Sequence, residues 1–159
     1  MTTFDRAWDI VKMPYHGTTT DKLESILDVG LQPRNPDPYS QARVSFVEEP
    51  EEAAIWADIR STTSSHPGRG DPAVLYFPKD AINPHRPVGR PYNPERETYH
   101  SIPPQSLTVH HGPKKSGRNL DDPSEYDEWL NAMNEWKAQL NEMHERGESE
   151  VSSVYERRV

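Results

Sequence analysis

The stretch PYHGTTTDKLESILDVGLQP, residues 14 to 33, carries the reading of this chain. Pro14 disfavours helix at Met13, so the piece leading through His16, Gly17 and Thr18 reads as extended. From Asp21 the pattern changes. Leu23, Ile26 and Leu27 share one helical face, Glu24 follows Asp21 at capping-box spacing, and Gly30 stands as a C-terminal stop. A strand therefore hands over to a short amphipathic helix, and a histidine, a glycine and three threonines sit at the handover. His16 is either part of a chemical site or a polar residue near a turn. The tripeptide alone does not decide.

Working outward, Phe4, Trp8 and Val11 predict a short amphipathic helix over 3–12. PRNPDPYSQ (33–41) is a Pro-rich loop, ARVSFVEE (42–49) reads as a strand, and PEEAAIWADIR (50–60) reads as a helix. Pro50 suits that helix's first position, and Glu51 and Glu52 suit its first turn. STTSSHPGRGDP (61–72) is loop by composition, and AVLYFP (73–78) is an apolar run of strand length, central in a sheet. A second Pro-rich loop, NPHRPVGRPYNP (83–94), precedes two further strands, ETYHSI (97–102) and SLTVHH (106–111). After a linker, Asp122-Pro123-Ser124-Glu125 forms a helix start. Tyr126, Trp129, Met133, Trp136, Leu140 and Met143 then form a seam of threes and fours as far as Gly147. Three heptads are marginal alone, so packing of the seam on its own domain is favoured over a dimer. Short strands mixed with helices make the fold class α+β.

Composition narrows the function. With 159 residues, 32% hydrophobic content, sixteen prolines and a mean hydropathy of −0.98, the core must be small and the loops many. No cysteine is present, which removes disulfides, thiol nucleophiles and thiolate metal sites. The formal charge of −8 weighs against broad binding to a nucleic-acid backbone. No apolar run approaches bilayer length, and the start MTTFDRAWDI lacks signal-peptide character, so a cytoplasmic protein without membrane contact is expected. His85, His100, His110 and His111 lack the spacing of a zinc site, and no metal is expected.

YHGTT…LESILDVGL, then RVSFVEEPEEAAIWA, then ERETYHSIPPQSLTV resembles, in order, the ADP-ribosyltransferase fold family. The likeness covers roughly residues 13 to 110 and lies nearest the His-containing branch of poly-ADP-ribose polymerases and diphtheria-type toxins. It implies a split β-sheet core that binds NAD⁺ as co-substrate. His16 would then bond a hydroxyl of the adenosine ribose, the Gly17 main chain would grip the nicotinamide carboxamide, and Thr18 would add a ribose contact. Ser45 stands where that branch carries tyrosine and the arginine-dependent branch carries serine. Trp56 matches the aromatic that stacks on nicotinamide. Glu97 matches the catalytic glutamate, and YNPERE resembles the loop of arginine-specific transferases, with Glu95 and Tyr92 addressing the acceptor. The division implied is a catalytic domain over 1–112, a linker over 113–120 and a helical appendage over 121–159.

Such residues suit the chemistry. Cleaving nicotinamide from NAD⁺ builds positive charge on the ribose, and a carboxylate held against it stabilises the transition state more than the ground state. The leaving group is already cationic, so neither a general acid nor a metal is required. A guanidinium is a poor nucleophile because it stays protonated. A second carboxylate at i−2 lies on the same side of a strand and could pair with it. The expectation is a mono-ADP-ribosyltransferase with a protein arginine as acceptor, of a build that suits a bacterial or phage effector. Alternatives are an NAD⁺ glycohydrolase, a nucleic-acid transferase using the basic loop of Arg86, Arg90 and Arg96, or an inactive nucleotide- or partner-binding module. Arg34 and Arg43 flank the presumed donor loop and could contact the pyrophosphate. The blander readings make His16 a turn cap, Glu95 and Glu97 solvated strand charges, and Trp56 a core residue.

Overall fold

Local signals start and stop most of the elements. The computed structural model describes residues 13–34, 42–62, 70–82, 95–115 and 117–158, with the backbone alone at 95 and 147–158. The helix expected over 3–12, the loops 35–41, 63–69 and 83–94, and with them His85, Arg86, Arg90 and Tyr92, lie outside the described residues. Strand β1 (Tyr15–Thr19) runs directly into helix α1 (Thr20–Val29). That helix begins at Thr20, one residue before the expected Asp21. Asp21 accepts the Gly70 N–H (3.2 Å) instead of capping, and the Thr20 hydroxyl accepts that of Asp71 (2.9 Å). Gly30 ends α1 as expected. Its φ of 85° is left-handed, its N–H returns to the Ile26 carbonyl at 2.7 Å, and a side chain there would strike the Ile102 carbonyl.

Strand β2 (Val44–Val47) leads to helix α2 (Pro50–Thr62), which opens on Pro50 as its sequence predicts. Strands β3 (Pro72–Tyr76), β4 (Glu95–Thr98) and β5 (Thr108–His111) complete one antiparallel sheet in the order β4-β2-β1-β3-β5. The fold is α+β. Strand β4 starts two residues earlier and stops sooner than ETYHSI suggests; Ile102 instead bridges Leu31. Ser106, expected in β5, belongs to a 3₁₀ turn over Pro104–Ser106.

The two-residue alternation of the strands sends side chains to two cores. On one face Val44, Phe46, Ala73, Leu75 and Phe77 pack with Leu23 and Ile26 of α1. On the other, Tyr15, Val47 and Val74 pack with Ala53, Ala54 and Ala57 of α2 and with a third helix, α3 (Pro123–Arg158). Asp122 caps α3 by accepting the Ser124 N–H at 3.0 Å. Glu125 accepts from Asn119 rather than closing the expected box, and the backbone stays helical past Gly147. Of the expected seam, Trp129, Met133, Trp136 and Leu140 are buried, while Tyr126 is exposed. The segment read as an appendage thus supplies the largest side chains of the second core. It is fastened by polar contacts as well: Trp129 Nε1 to Asp58 (2.9 Å), Trp136 Nε1 to His110 Nδ1 (2.9 Å), and the Tyr15 hydroxyl with His144 Nδ1 (2.7 Å). No described helix is long and apolar enough to cross a membrane.

Candidate functional site

The site begins where the sheet parts. Along β1, Pro14 O accepts from Phe77 N and Thr20 N donates to Asp71 O. By the alternation of an antiparallel ladder, the main-chain groups of Tyr15 and Gly17 therefore face β2. Yet β1 pairs with β2 at one position only, Tyr15 opposite Val47. The next reciprocal pair, Gly17 with Ser45, is missing. Two side chains supply donors to the carbonyls that it would have joined: His16 Nδ1 reaches Ser45 O at 2.5 Å, and Arg60 Nη1 reaches Gly17 O at 2.8 Å. His16 and Arg60 act as spacers between the strands.

Cavities flank the parting on both sides of the sheet. The smaller, about 60 Å³, lies beside α2 and includes Gly17, Ser45, Trp56 and Arg60 in its wall. The larger, about 490 Å³, lies beside α1 and is walled by Thr18, Lys22, Arg34 and Arg43 among others. His16, Ser45 and Arg60 line both. The larger volume is within the usual range for small-molecule sites. Four cationic side chains and no described carboxylate line it, in a chain of net charge −8, so it suits an anion.

Burial pushes the His16 imidazole down to about 4, against the bond to Ser45; the nearby Arg60, Lys22 and Arg34 charges add to the depression. The ring is therefore neutral at pH 7. A carbonyl can only accept, so the proton resides on Nδ1 and Nε2 keeps a lone pair for a donor such as a hydroxyl.

Five of the residues singled out in the sequence converge here: His16, Gly17, Thr18, Ser45 and Trp56. Trp56 is 45% exposed, which sets aside its reading as core. Gly17 has a packing reason of its own. A β-carbon would sit 2.2 Å from the Ala53 carbonyl oxygen, because α2 lies on β1 with only alanines between. Glu97 lines neither cavity. It stands one strand further out, in register with Ser45, and its Oε1 is 3.1 Å from Arg43 Nε, the two side chains being 23% and 31% exposed. Glu95 stands in register with Val47.

Sequence reasoning missed Lys22 and Arg60. Arg60 lies one helical turn beyond Trp56, a spacing that could have flagged it; nothing local marks Lys22. Arg96, expected in a basic loop, is instead buried with its Nε 3.1 Å from Glu48. His110 spends its Nδ1 on Trp136, and among the described residues no three histidine or carboxylate side chains gather as a metal site.

Fold and cleft together define an α+β protein with a cation-lined cleft across a parted sheet. No protein-family model matches the chain, and no curated protein matches it at a significant level.

Proposed function

We propose that this chain is a mono-ADP-ribosyltransferase that binds NAD⁺ in the parted sheet and transfers ADP-ribose to a protein arginine. The observation that carries this reading is the parting of β1 from β2 around a neutral His16, with an exposed indole on one side and clustered cations on the other. The features map onto different parts of NAD⁺. Nε2 of His16 accepts from a ribose hydroxyl. The cationic wall takes the pyrophosphate. Trp56 offers a π-face to the cationic nicotinamide ring. Gly17 borders the same smaller cavity, and with its carbonyl held by Arg60 its N–H is the group offered to the carboxamide.

Glu97 stands in register with Ser45, on the β2 side of the parting. Arg43 occupies Oε1, leaving Oε2 for the ribose 2′-hydroxyl, where its charge opposes the positive charge that grows as nicotinamide departs. Glu95, two residues earlier on β4, addresses the incoming guanidinium.

Labelled NAD⁺ incubated with the protein and a cell lysate tests the reading. Label on protein, with nicotinamide release, is the expected result. Label on nucleic acid would change the acceptor, free ADP-ribose alone would make the chain a glycohydrolase, and neither release nor binding would leave only a partner-binding module.

A further inference from the structure

We propose that Lys22 and Arg34 form a phosphate subsite beside the adenosine ribose, so that the donor this cleft prefers is the dinucleotide phosphorylated on that ribose, NADP⁺. The inference rests on the transferase reading above and deepens it by naming the donor. Helix α1 supplies one half of the subsite. Lys22 and Ser25 are three residues apart on one face of α1, and both line the larger cavity, an ammonium beside a hydroxyl. Arg34 supplies the other half. Its main chain exchanges two bonds with that of Arg43 (2.8 and 2.9 Å), so two guanidinium side chains stand directly opposite each other across an antiparallel bridge. Like charges in that position are destabilising. Glu97 offsets the Arg43 charge at 3.1 Å, but no described carboxylate lines the cavity to do the same for Arg34. A bound anion would.

Charge and position separate this anion from the pyrophosphate. The pyrophosphate brings two negative charges. With Arg43 offset, the cavity still presents positive charge on Lys22, Arg34 and Arg60. Arg60 also lines the smaller cavity, where nicotinamide is assigned, so it lies toward the middle of the dinucleotide. Lys22, Ser25 and Arg34 line only the larger, at the adenosine end. They are also close to His16. Burial first, and then the Arg60, Lys22 and Arg34 charges, hold its imidazole down. That ring's Nε2 is assigned to a hydroxyl of the same ribose. With the 2′-oxygen phosphorylated, the 3′-hydroxyl remains to donate to Nε2, and the phosphate falls beside the two cations.

Calorimetry on the full chain with NAD⁺, NADP⁺, 5′-AMP and 2′,5′-ADP, alongside nicotinamide release from each dinucleotide, provides the test. Bonds to charged groups of this kind are worth about tenfold in affinity, so NADP⁺ should bind about tenfold tighter than NAD⁺, and 2′,5′-ADP should exceed 5′-AMP likewise. Both preferences should shrink as salt rises. Lys22→Ala and Arg34→Gln should each remove most of the preference, and Lys22→Arg should keep it. NAD⁺ bound as tightly as NADP⁺, with nicotinamide released, would overturn the proposal and leave the transferase reading standing. So would a preference that survives both Lys22→Ala and Arg34→Gln. A 2′,5′-ADP preference lost in Lys22→Ala, with no nicotinamide released from either dinucleotide, would keep the subsite and overturn the transferase reading. Binding of none of the four would overturn both.

Discussion

At the scale of single residues the cleft depends on His16, which has two jobs. Its Nδ1–H spans the gap to Ser45 O, and its Nε2 is the acceptor assigned to a ribose hydroxyl. His16→Ala removes both. One such hydrogen bond is worth about 1 kcal/mol net, so calorimetry should show NAD⁺ affinity falling several-fold. Unchanged affinity in a folded variant would return His16 to the role of a turn residue. Glu97 and Glu95 separate by substrate. Glu97→Gln should slow nicotinamide release and agmatine labelling alike, by about a hundredfold or more if it behaves like other losses of transition-state charge. Glu95→Ala should abolish labelling of agmatine while slow hydrolysis of NAD⁺ persists. Measuring both products on both variants also detects the reverse assignment, and two unaffected variants would make the pair mere surface charge.

At the scale of elements, the approach of α2 to β1 determines what the parted sheet can be. Three alanines and a glycine bring helix backbone against strand backbone, and that contact places Trp56 and Arg60 at the opening. Gly17→Ala would drive a methyl group into the Ala53 carbonyl. Overpacking of this kind costs about 1–3 kcal/mol, so urea unfolding should shift to lower midpoint even without NAD⁺. A stable variant that had merely lost NAD⁺ binding would show that α2 can yield, and that the glycine serves the ligand alone. The strand itself was legible from Pro14, which disfavours helix at Met13. Its missing partner was not, because ladder register depends on residues 29 positions away in sequence.

At the scale of the whole molecule, α3 belongs to the folding unit. From the sequence, a chain ending near Ser116 would keep its NAD⁺ hydrolysis. The burial of Trp129, Met133, Trp136 and Leu140 against β1 and α2 reverses that expectation. Such a truncation should lose the cooperative unfolding transition, and Trp129→Ala in the full chain should cost about 3–5 kcal/mol. A cooperative transition surviving in the truncated chain would sink this view. Acid should loosen the same molecule. The His16 imidazole is depressed to about 4, chiefly by burial, and that of His110 is lowered by burial and by the His111 charge. Both are basic groups held below their unfolded values, so their neutral forms are tolerated at full stability above about pH 6.5. As pH falls below that, the unfolded chain takes up protons first, and stability drops until the folded imidazoles also protonate. For His16 the loss is about 3 kcal/mol between pH 6.5 and 4. Denaturation midpoints measured across that window should fall, and replacing His16 with Asn should flatten the curve.

The sequence by itself determined the local grammar of this protein: that α2 begins at Pro50, why α1 stops at Gly30, which runs form strands, and that His16 stands where a strand passes into a helix. These are decided by dihedral preference and periodicity over a few residues, which the chain carries wherever it goes. Only the tertiary structure decided that β1 and β2 part after Tyr15 and Val47, that Trp56 is left exposed, and that Lys22 and Arg60 converge with Arg34 and Arg43. It also decided that Glu97 meets Arg43 and that α3 fills a core. Those outcomes join segments distant in sequence. They follow from strand register and from which faces must be covered to keep apolar surface from water, a competition among all the elements at once.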